Sequence, residues 1–350
     1  MRVTVSTVKE PVEVLEQFVA RNLASGVDLM FLMLDQPDAA VERFAQAHPC
    51  VEHVVCDDTW WVDGRPDDLN TRQLRNANLV KALLSAFDWS RWIFHLDADE
   101  VLCVAGDELD ALPASVEAIQ LVPLEAVARP HWEGPPTLFK RRLAEDDLHL
   151  LATLGAIPRP ANGALFRGHL KGKSGVRVDS DLRLGIHTPW DVDGVVEGYQ
   201  SPRMRHLHYD SPSRDEFVRK WHKMQAAGTM GLRQDRASAA GALRALLDAD
   251  LDDAVRKKYL GLLFDQIRRD PEEVLAELGF LEEHRPELGG HQPRILTPRQ
   301  RTDLLRLLSA LHARPKESFS PKGPGGAKVL RRAMVEAGIN PGARGPIESA

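Results

Sequence analysis

The sequence predicts an α/β fold: a mainly parallel sheet flanked by helices, followed by a helical C-terminal region. Three observations carry that expectation. Strand-like and helix-like patterns alternate four times within the first hundred residues, the order that places helices on the faces of a parallel sheet. The run "LMFLMLD" at 29–35 is apolar up to its final Asp, as a strand covered on both faces must be. After Ser213 the apolar residues recur almost entirely at helical spacing.

The elements follow in order. Residues 3–8, "VTVSTV", alternate and are rich in β-branched types, which reads as a strand. Pro11 suits a helix start; Val14, Leu15, Phe18, Val19 and Leu23 make its apolar face, and Gly26 stops it. After the strand at 29–35, "DAAVERFAQAH" is a short helix, "VEHVVCDD" at 51–58 a third strand, "NTRQLRNANLVKALLSAF" a helix and "RWIFHL" a fourth strand. Beyond residue 100, "VEAIQLVPLEAV" reads as a strand, and 128–172 as irregular, being rich in Pro, Gly, Arg and His. "SGVRV", "LRLGIH" and "RMRHLHYD" read as short strands, and helices are expected from Ser213 and across 236–248, 252–269, 271–283 and 297–312. The expected organisation is an α/β domain over 1–225, a helical region over 226–313, and a flexible tail with a short helix over 314–350.

Composition bounds the function. With 350 residues, 43% of them hydrophobic, the chain can bury a substantial core. A formal net charge of -6 argues against nucleic-acid or membrane-surface binding driven by bulk charge. "MRVTVSTVKE" lacks the apolar stretch of a signal peptide, and no run of eighteen apolar residues offers a transmembrane helix. Cys50, Cys56 and Cys103 form no Cys-x-x-Cys pair, so the expectation is a cytoplasmic protein with reduced, mostly buried thiols.

The stretch "RWIFHLDADE" at 91–100 carries the chemistry. An apolar strand runs into three carboxylates within four positions: Asp97, Asp99 and Glu100. In an open parallel sheet, ligands bind beyond the carboxyl ends of the strands. Asp97 and Asp99 share a face in extended backbone, and two carboxylates held together repel unless a cation joins them. Hard oxygen ligands suit Mg²⁺ or Mn²⁺, which take further ligands from a substrate phosphate. The alternative is a solvated acidic loop.

At this point the chain resembles a family-2-type glycosyltransferase of the GT-A (Rossmann-like) fold. The resemblance lies in "VSTVKEPVEVLEQFVARNLASGVDLMFLMLD", in the Asp-x-Asp-Glu segment "FHLDADE" and in "LHYDSPSRDEFVRKW", and it covers about residues 1–225. Two features depart from the pattern: the Asn of a Lys-Asn-Glu motif is missing from Lys9-Glu10, and the usual Asp-Asn-x-Ser-x-Asp turn reads "LDQPD". The resemblance implies a metal-dependent hexosyltransferase. It would move a sugar from a nucleotide-diphosphate donor, UDP-linked by expectation, to a glycan or other hydroxyl acceptor with inversion. Asp97, Asp99 and His187 would hold Mn²⁺ or Mg²⁺, and Lys9, Asp35, Arg75, Asp97 and Lys173 would contact the nucleotide sugar.

Each assignment has a plainer rival. Asp35 also reads as a turn or helix-capping acid, beside Pro37 and Asp38. Arg72, Arg75 and Asn76 lie on the helix before the acidic strand, where Arg75 balances the acids or the diphosphate, or is simply solvated. "GHLKGKSGVR" is not a P-loop, because Gly168 and Gly172 are one residue too close, but Lys171 and Lys173 could meet phosphate in a Gly-rich turn. His187 reads equally as a packed histidine, and His206 and His208 share a strand face and could supply the metal ligand instead. Trp132 and Trp190 read as core residues or as sugar-stacking rings. The acceptor's proton would pass to a carboxylate: Asp191, Asp193 or Glu133, with Asp191 preferred. The rival readings are a GT-A-like nucleotidyltransferase and a non-catalytic domain that binds sugar or protein.

Overall fold

The computed structural model describes residues 1–226, 237–320 and 326–340. In chain order the elements are β1 (Arg2–Val8), α1 (Val12–Ala24), β2 (Leu29–Leu34), α2 (Ala39–Ala47), β3 (Val51–Val55), α3 (Leu69–Leu84), β4 (Trp92–His95), β5 (Glu100–Val104) and α4 (Gly106–Ala111). Then come β6 (Ala118–Ala126), β7 (Leu138–Lys140), α5 (Glu145–Thr153), α6 (Asn162–Leu165), β8 (Lys173–Arg177), β9 (Met204–His208) and α7 (Arg214–Ala226). The rest are α8 (Ala237–Asp248), α9 (Asp253–Ile267), α10 (Glu272–Glu277), β10 (Leu281–Glu283), α11 (Pro298–His312) and α12 (Gly326–Glu336). The chain divides into two compact units, each discontinuous in sequence: 1–123, 171–206 and 285–350 form the first, and 124–170 and 207–284 the second.

The first unit is an α/β layer structure around a mixed sheet of order β3-β2-β1-β4-β8-β6. Its first four strands are parallel: β1 pairs with β2 from Val3↔Leu29 to Val8↔Leu34 and with β4 from Arg2↔Trp92 to Val5↔His95. β8 and β6 extend the sheet antiparallel. The alternation of β2 shows why a continuous apolar run was needed. Leu29, Phe31 and Met33 pack with Leu79, Val80 and Leu83 of α3 and with Leu304 and Leu307 of α11. Met30, Leu32 and Leu34 pack with Leu15, Phe18 and Val19 of α1 and Val41 of α2. Every residue of the strand is buried. Helix starts follow the expected chemistry: Asp38 caps α2 by accepting from Ala40 N (2.8 Å) and Val41 N (2.9 Å), and Asp68 caps α3 through Thr71 N (2.8 Å).

The second unit holds a three-stranded antiparallel piece, the end of β6 with β7 and β10, beside helices. Phe166, Leu275 and Phe280 belong to one apolar cluster, and Phe217 of α7, Leu243 of α8 and Phe264 of α9 to another.

Several expectations give way. The strand expected at "LRLGIH" is not formed; Arg183 makes only an isolated bridge to Trp190. The helix expected over 271–283 stops at Glu277, because Gly279 turns the chain with φ +70°, and Leu281–Glu283 become β10. The irregular stretch 128–172 contains β7, α5 and α6. The tail is not loose where it is described. Lys316, Phe319, Ala333 and Met334 are buried, and the last three join the cluster on the α3 face. A helix with apolar residues on one side has somewhere to put them, whatever the Pro and Gly around it. The linker expected around 321–325 and the loose end beyond 340 lie outside the described residues, as does part of the region expected to be helical after Ala226.

Candidate active site

From β1 the chain crosses by α1 on one face of the sheet to reach β2; from β3 it crosses by α3 on the other face to reach β4. β1 and β4 are neighbours, so their carboxyl ends flank the topological switch point, where the backbone diverges and leaves a crevice. Asp97–Glu100 follow β4 at this point, and Lys9–Glu10 follow β1.

The acidic turn is tightly built. Glu100 N donates to Asp97 O (3.0 Å), and Asp97 N donates back to Glu100 Oε2 (2.8 Å). Asn22, fully buried in α1, secures the far side: its amide donates to Glu100 O (3.0 Å) and accepts from Leu102 N (2.9 Å). Lys173 Nζ, at the start of β8, lies 2.5 Å from Asp97 Oδ2 and 3.2 Å from Glu100 Oε2 with its side chain only 1% exposed. Burial works against that charge, but the two carboxylates outweigh it, and the amine's pKa is raised above the ordinary lysine value. Gln73 Nε2 donates to Asp97 Oδ1 (2.8 Å), and His206 Nε2 lies 3.5 Å from Glu100 Oε1. Asp99 is half-buried in the turn between β4 and β5.

The placement of Lys173 corrects its expected role at a phosphate: the amine is enclosed and committed to two carboxylates. It also changes what the acids offer a metal. An ammonium stands between Asp97 and Glu100 where a divalent ion would bridge them, so those two carboxylates do not fit Mn²⁺ or Mg²⁺. Asp99 is the acid of the turn that Lys173 leaves alone. Among the described residues, ligand atoms of Asp97, Asp99 and His187 do not gather within 4.8 Å of one another, so the expected metal set is not assembled. His187 Nδ1 is 2.9 Å from Gly172 O, which puts its proton on Nδ1 in the neutral ring. Burial, and then the charge of Lys173, lower its pKa, so the ring is neutral at pH 7.

The other expected contacts are dispersed. Asp35 is 3% exposed and receives Arg65 Nη2 at both oxygens (2.8 and 3.0 Å) and Arg72 Nη2 at Oδ2 (3.2 Å). It is an internally neutralised acid and not the α2 cap, which is Asp38. Arg75 turns from the acidic cluster to Ser320 Oγ (3.2 Å) and Asp63 (3.7 Å). Asn76 accepts from Trp60 Nε1 (3.0 Å) and donates to Thr7 Oγ1 (3.1 Å). Lys9 Nζ donates to Gln36 Oε1 (2.6 Å), and both line a cleft of about 220 Å³ with Glu10 and Asp38 at the ends of β1 and β2. Gln36 has φ +59°, a left-handed backbone that a non-glycine residue holds only when its surroundings insist. A second cleft, about 340 Å³, runs between the end of β3 and α11, lined by His53, Asp57, Ser309 and His312.

Asp191 Oδ1 accepts from Asp193 N (2.7 Å) and Gly194 N (2.8 Å), so it shapes its own turn. In the second unit, Glu133 is exposed, while Trp132 is engaged: its Nε1 donates to Val127 O and Pro212 O, and Arg129 covers its ring at 3.5 Å. His208 Nδ1 is 3.9 Å from Glu125 Oε2. Sequence reasoning missed the partners, above all Arg65 and Gln73, and also His95, which is 1% exposed with neither ring nitrogen hydrogen-bonded. Burial, and then Lys173, push the His95 ring down to about 3, so it stays neutral.

No protein-family model matches the chain, and no curated protein matches it. No helix among the described residues is long and apolar enough to cross a membrane.

Proposed function

We propose that this chain is a GT-A glycosyltransferase that moves a sugar from a nucleotide-diphosphate donor, UDP-linked in the first instance, to a hydroxyl acceptor with inversion. The observation that supports it is the acidic turn at the β1/β4 switch point, beside a cleft at the ends of β1 and β2. Lys9, Gln36 and Glu10 offer a cation, a carboxamide and an acid to a nucleotide in that cleft. Asp99 is the proposed ligand for Mn²⁺ or Mg²⁺. When bound, that ion would neutralise the charge developing on the leaving diphosphate. Asp97 and Glu100, held by Lys173, keep the turn in shape. Asp191 is the proposed base: with Oδ1 fixed in its turn, Oδ2 is left to accept the acceptor's proton.

The test is thermal melting with UDP and Mn²⁺, separately and together, alongside release of UDP from UDP-sugars. Because diphosphate and metal share ligands, the pair should raise the melting temperature beyond the sum of the two alone. In Asp99→Asn that excess should disappear. No excess for any of the common nucleoside diphosphates, together with no donor turnover, would sink the proposal.

A further inference from the structure

We propose that the free edge of β3, with α11 beside it, is a docking groove for an extended peptide that carries a positively charged residue: the peptide joins the sheet as an added strand, and its cation lies at the Asp57–Asp58 end. Such docking involves the first unit alone and is independent of the transferase reading.

β3 ends the strand order, and among the described residues it pairs only with β2, in unbroken register from Met30↔Val51 to Leu34↔Val55. Met30 N donates to Cys50 O (2.9 Å) and Cys56 N to Leu34 O (2.9 Å). In a parallel ladder with those two bonds, the intervening ones fall to Glu52 and Val54, so the N–H and C=O groups of His53 and Val55 point away from the sheet. α11 lies over the same face of β3 as Glu52 and Val54: Arg301 meets Glu52 at 2.9 Å, and Val54 packs in one cluster with Leu304 and Leu307. The helix does not seal the edge. The cleft of about 340 Å³ runs between them, with His53, Val54 and Val55 on one side and Leu305, Leu308 and Ser309 on the other. Leu305 is 45% exposed and offers an apolar wall to a side chain of the incoming strand. A strand edge beside a groove takes up an extended peptide through main-chain hydrogen bonds, and the groove selects its side chains. Sheet edges are commonly blunted by Pro, by a bulge or by lysine, and β3 carries none of these.

Charge selects the partner. Arg301 is taken by Glu52, and Lys316 is fully buried, its Nζ donating to His312 O (2.7 Å) and Arg314 O (2.6 Å). Burial lowers the pKa of both His53 and His312, so the two imidazoles are neutral at pH 7. Asp57 lines the end of the cleft and Asp58 follows it, both exposed. Asp57 shapes its turn through Oδ1, which accepts from Thr59 N (2.9 Å) and Trp60 N (3.1 Å). This end of the groove is negative and suits a lysine or arginine on the peptide.

The experiment is fluorescence anisotropy of the full chain with a short fluorescein-labelled peptide of alternating threonine and valine that has a lysine at each end. This probe should bind saturably. Its counterpart with glutamates in place of the lysines should bind at least tenfold more weakly. Two further versions carry N-methyl groups on alternate amides, one version for each edge of the extended peptide. One should lose binding and the other keep it, because only one edge meets β3. Val55→Pro removes an outward N–H without taking a bond from the β2 ladder, and it should weaken the probe at least tenfold. Leu305→Arg changes an exposed position and should do the same with its melting temperature unchanged; it decides the outcome if Val55→Pro does not fold. The proposal is overturned by an absence of saturable binding at millimolar probe, by equal binding of the glutamate version, or by N-methylated versions that behave alike. A folded Leu305→Arg that binds as the native chain does would also overturn it. So would self-association in sedimentation that a folded Val55→Pro abolishes, since the edge would then belong to a second copy of the chain. None of these readouts involves nucleotide, metal or sugar transfer.

Discussion

Lys140→Met should unfold the second unit more readily than any surface change could. Lys140 Nζ meets Glu125 Oε1 at 2.9 Å, Asp270 Oδ2 at 2.8 Å and Leu165 O at 2.9 Å, and all three side chains are at most 2% exposed. The carboxylates have other donors, from Arg167 N and Gly168 N to Glu125 and from Ala128 N to Asp270, but only the ammonium joins them. Removing one partner of a buried pair costs about 3–5 kcal/mol, because the other charge is left uncompensated. Here two carboxylates lose the ammonium while Arg268 still acts on both, so a cost within that range is expected, against a total stability of about 5–15 kcal/mol for an ordinary domain. Urea unfolding followed by circular dichroism measures it. At a slope of about 1–3 kcal/mol per molar, the midpoint should fall by about 1 M or more. The pH dependence supplies a second check. Burial opposes the charge on Glu125, but Lys140 and then Arg268 overcome it and hold its pKa at about 2. A carboxylate depressed in the folded state contributes stability that is present above its unfolded pKa and lost as pH falls toward 2. In Lys140→Met Glu125 loses that support and takes up a proton more readily, so the deficit should narrow from pH 7 to pH 4.5. Adding Glu125→Gln should recover part of it at pH 7. A loss below about 1 kcal/mol, or a deficit that does not change with pH, would refute the reasoning.

Three further outcomes are expected. Ending the chain at Arg314 uncovers the α3 face where Phe319 and Met334 are buried, at about 1.5–3 kcal/mol each, so the truncated chain should melt well below the full one; equal melting temperatures would show that the tail adds nothing. Asn22→Ala leaves Glu100 O and Leu102 N without their buried partner and should cost about 2–4 kcal/mol, read by denaturant midpoint, with proposed transfer falling as the acidic turn loosens; an unchanged midpoint would count against it. Gly172→Ala places a Cβ 1.9 Å from Leu121 O at φ +71° and should destabilise by more than about 2 kcal/mol, whereas Gly64→Ala, with open space around it but also positive φ (+89°), should cost less. If the two glycine variants cost the same, the close approach to Leu121 is not what Gly172 provides.

The parts of the fold governed by local pattern were legible. The apolar run at 29–34 reads as a strand covered on both faces, and all six of its residues are buried. What failed needed knowledge of distant residues. "LRLGIH" has strand composition, but Asn78 takes both backbone groups of Leu184 (Leu184 N to Oδ1 and Nδ2 to Leu184 O, each 2.9 Å), which occupies what a ladder would have used. The tail's Pro and Gly suggested looseness, yet Phe319, Ala333 and Met334 find an apolar face on α3, nearly 250 residues earlier by the separation of Arg75 from Ser320 (245).

The same distinction decides the site. A carboxylate cluster after a strand asks for a cation, and from sequence alone the natural supplier is solvent or substrate. The folded chain supplies its own. Asp35 receives Arg65 from 30 residues away, Asp97 receives Lys173 from 76, and in the second unit Asp270 receives Lys140 from 130. In each pair at least one charge is buried and needs its partner, and no spacing rule links them. The acids of the turn thus divide into two kinds that look alike in the sequence: Asp97 and Glu100, which Lys173 joins, and Asp99, with which it makes no ion pair. A metal motif read by spacing counts both kinds as ligands. Only the position of the buried amine separates them, and that position follows from β8 running antiparallel beside β4, which brings Lys173 to the same end of the sheet as Asp97.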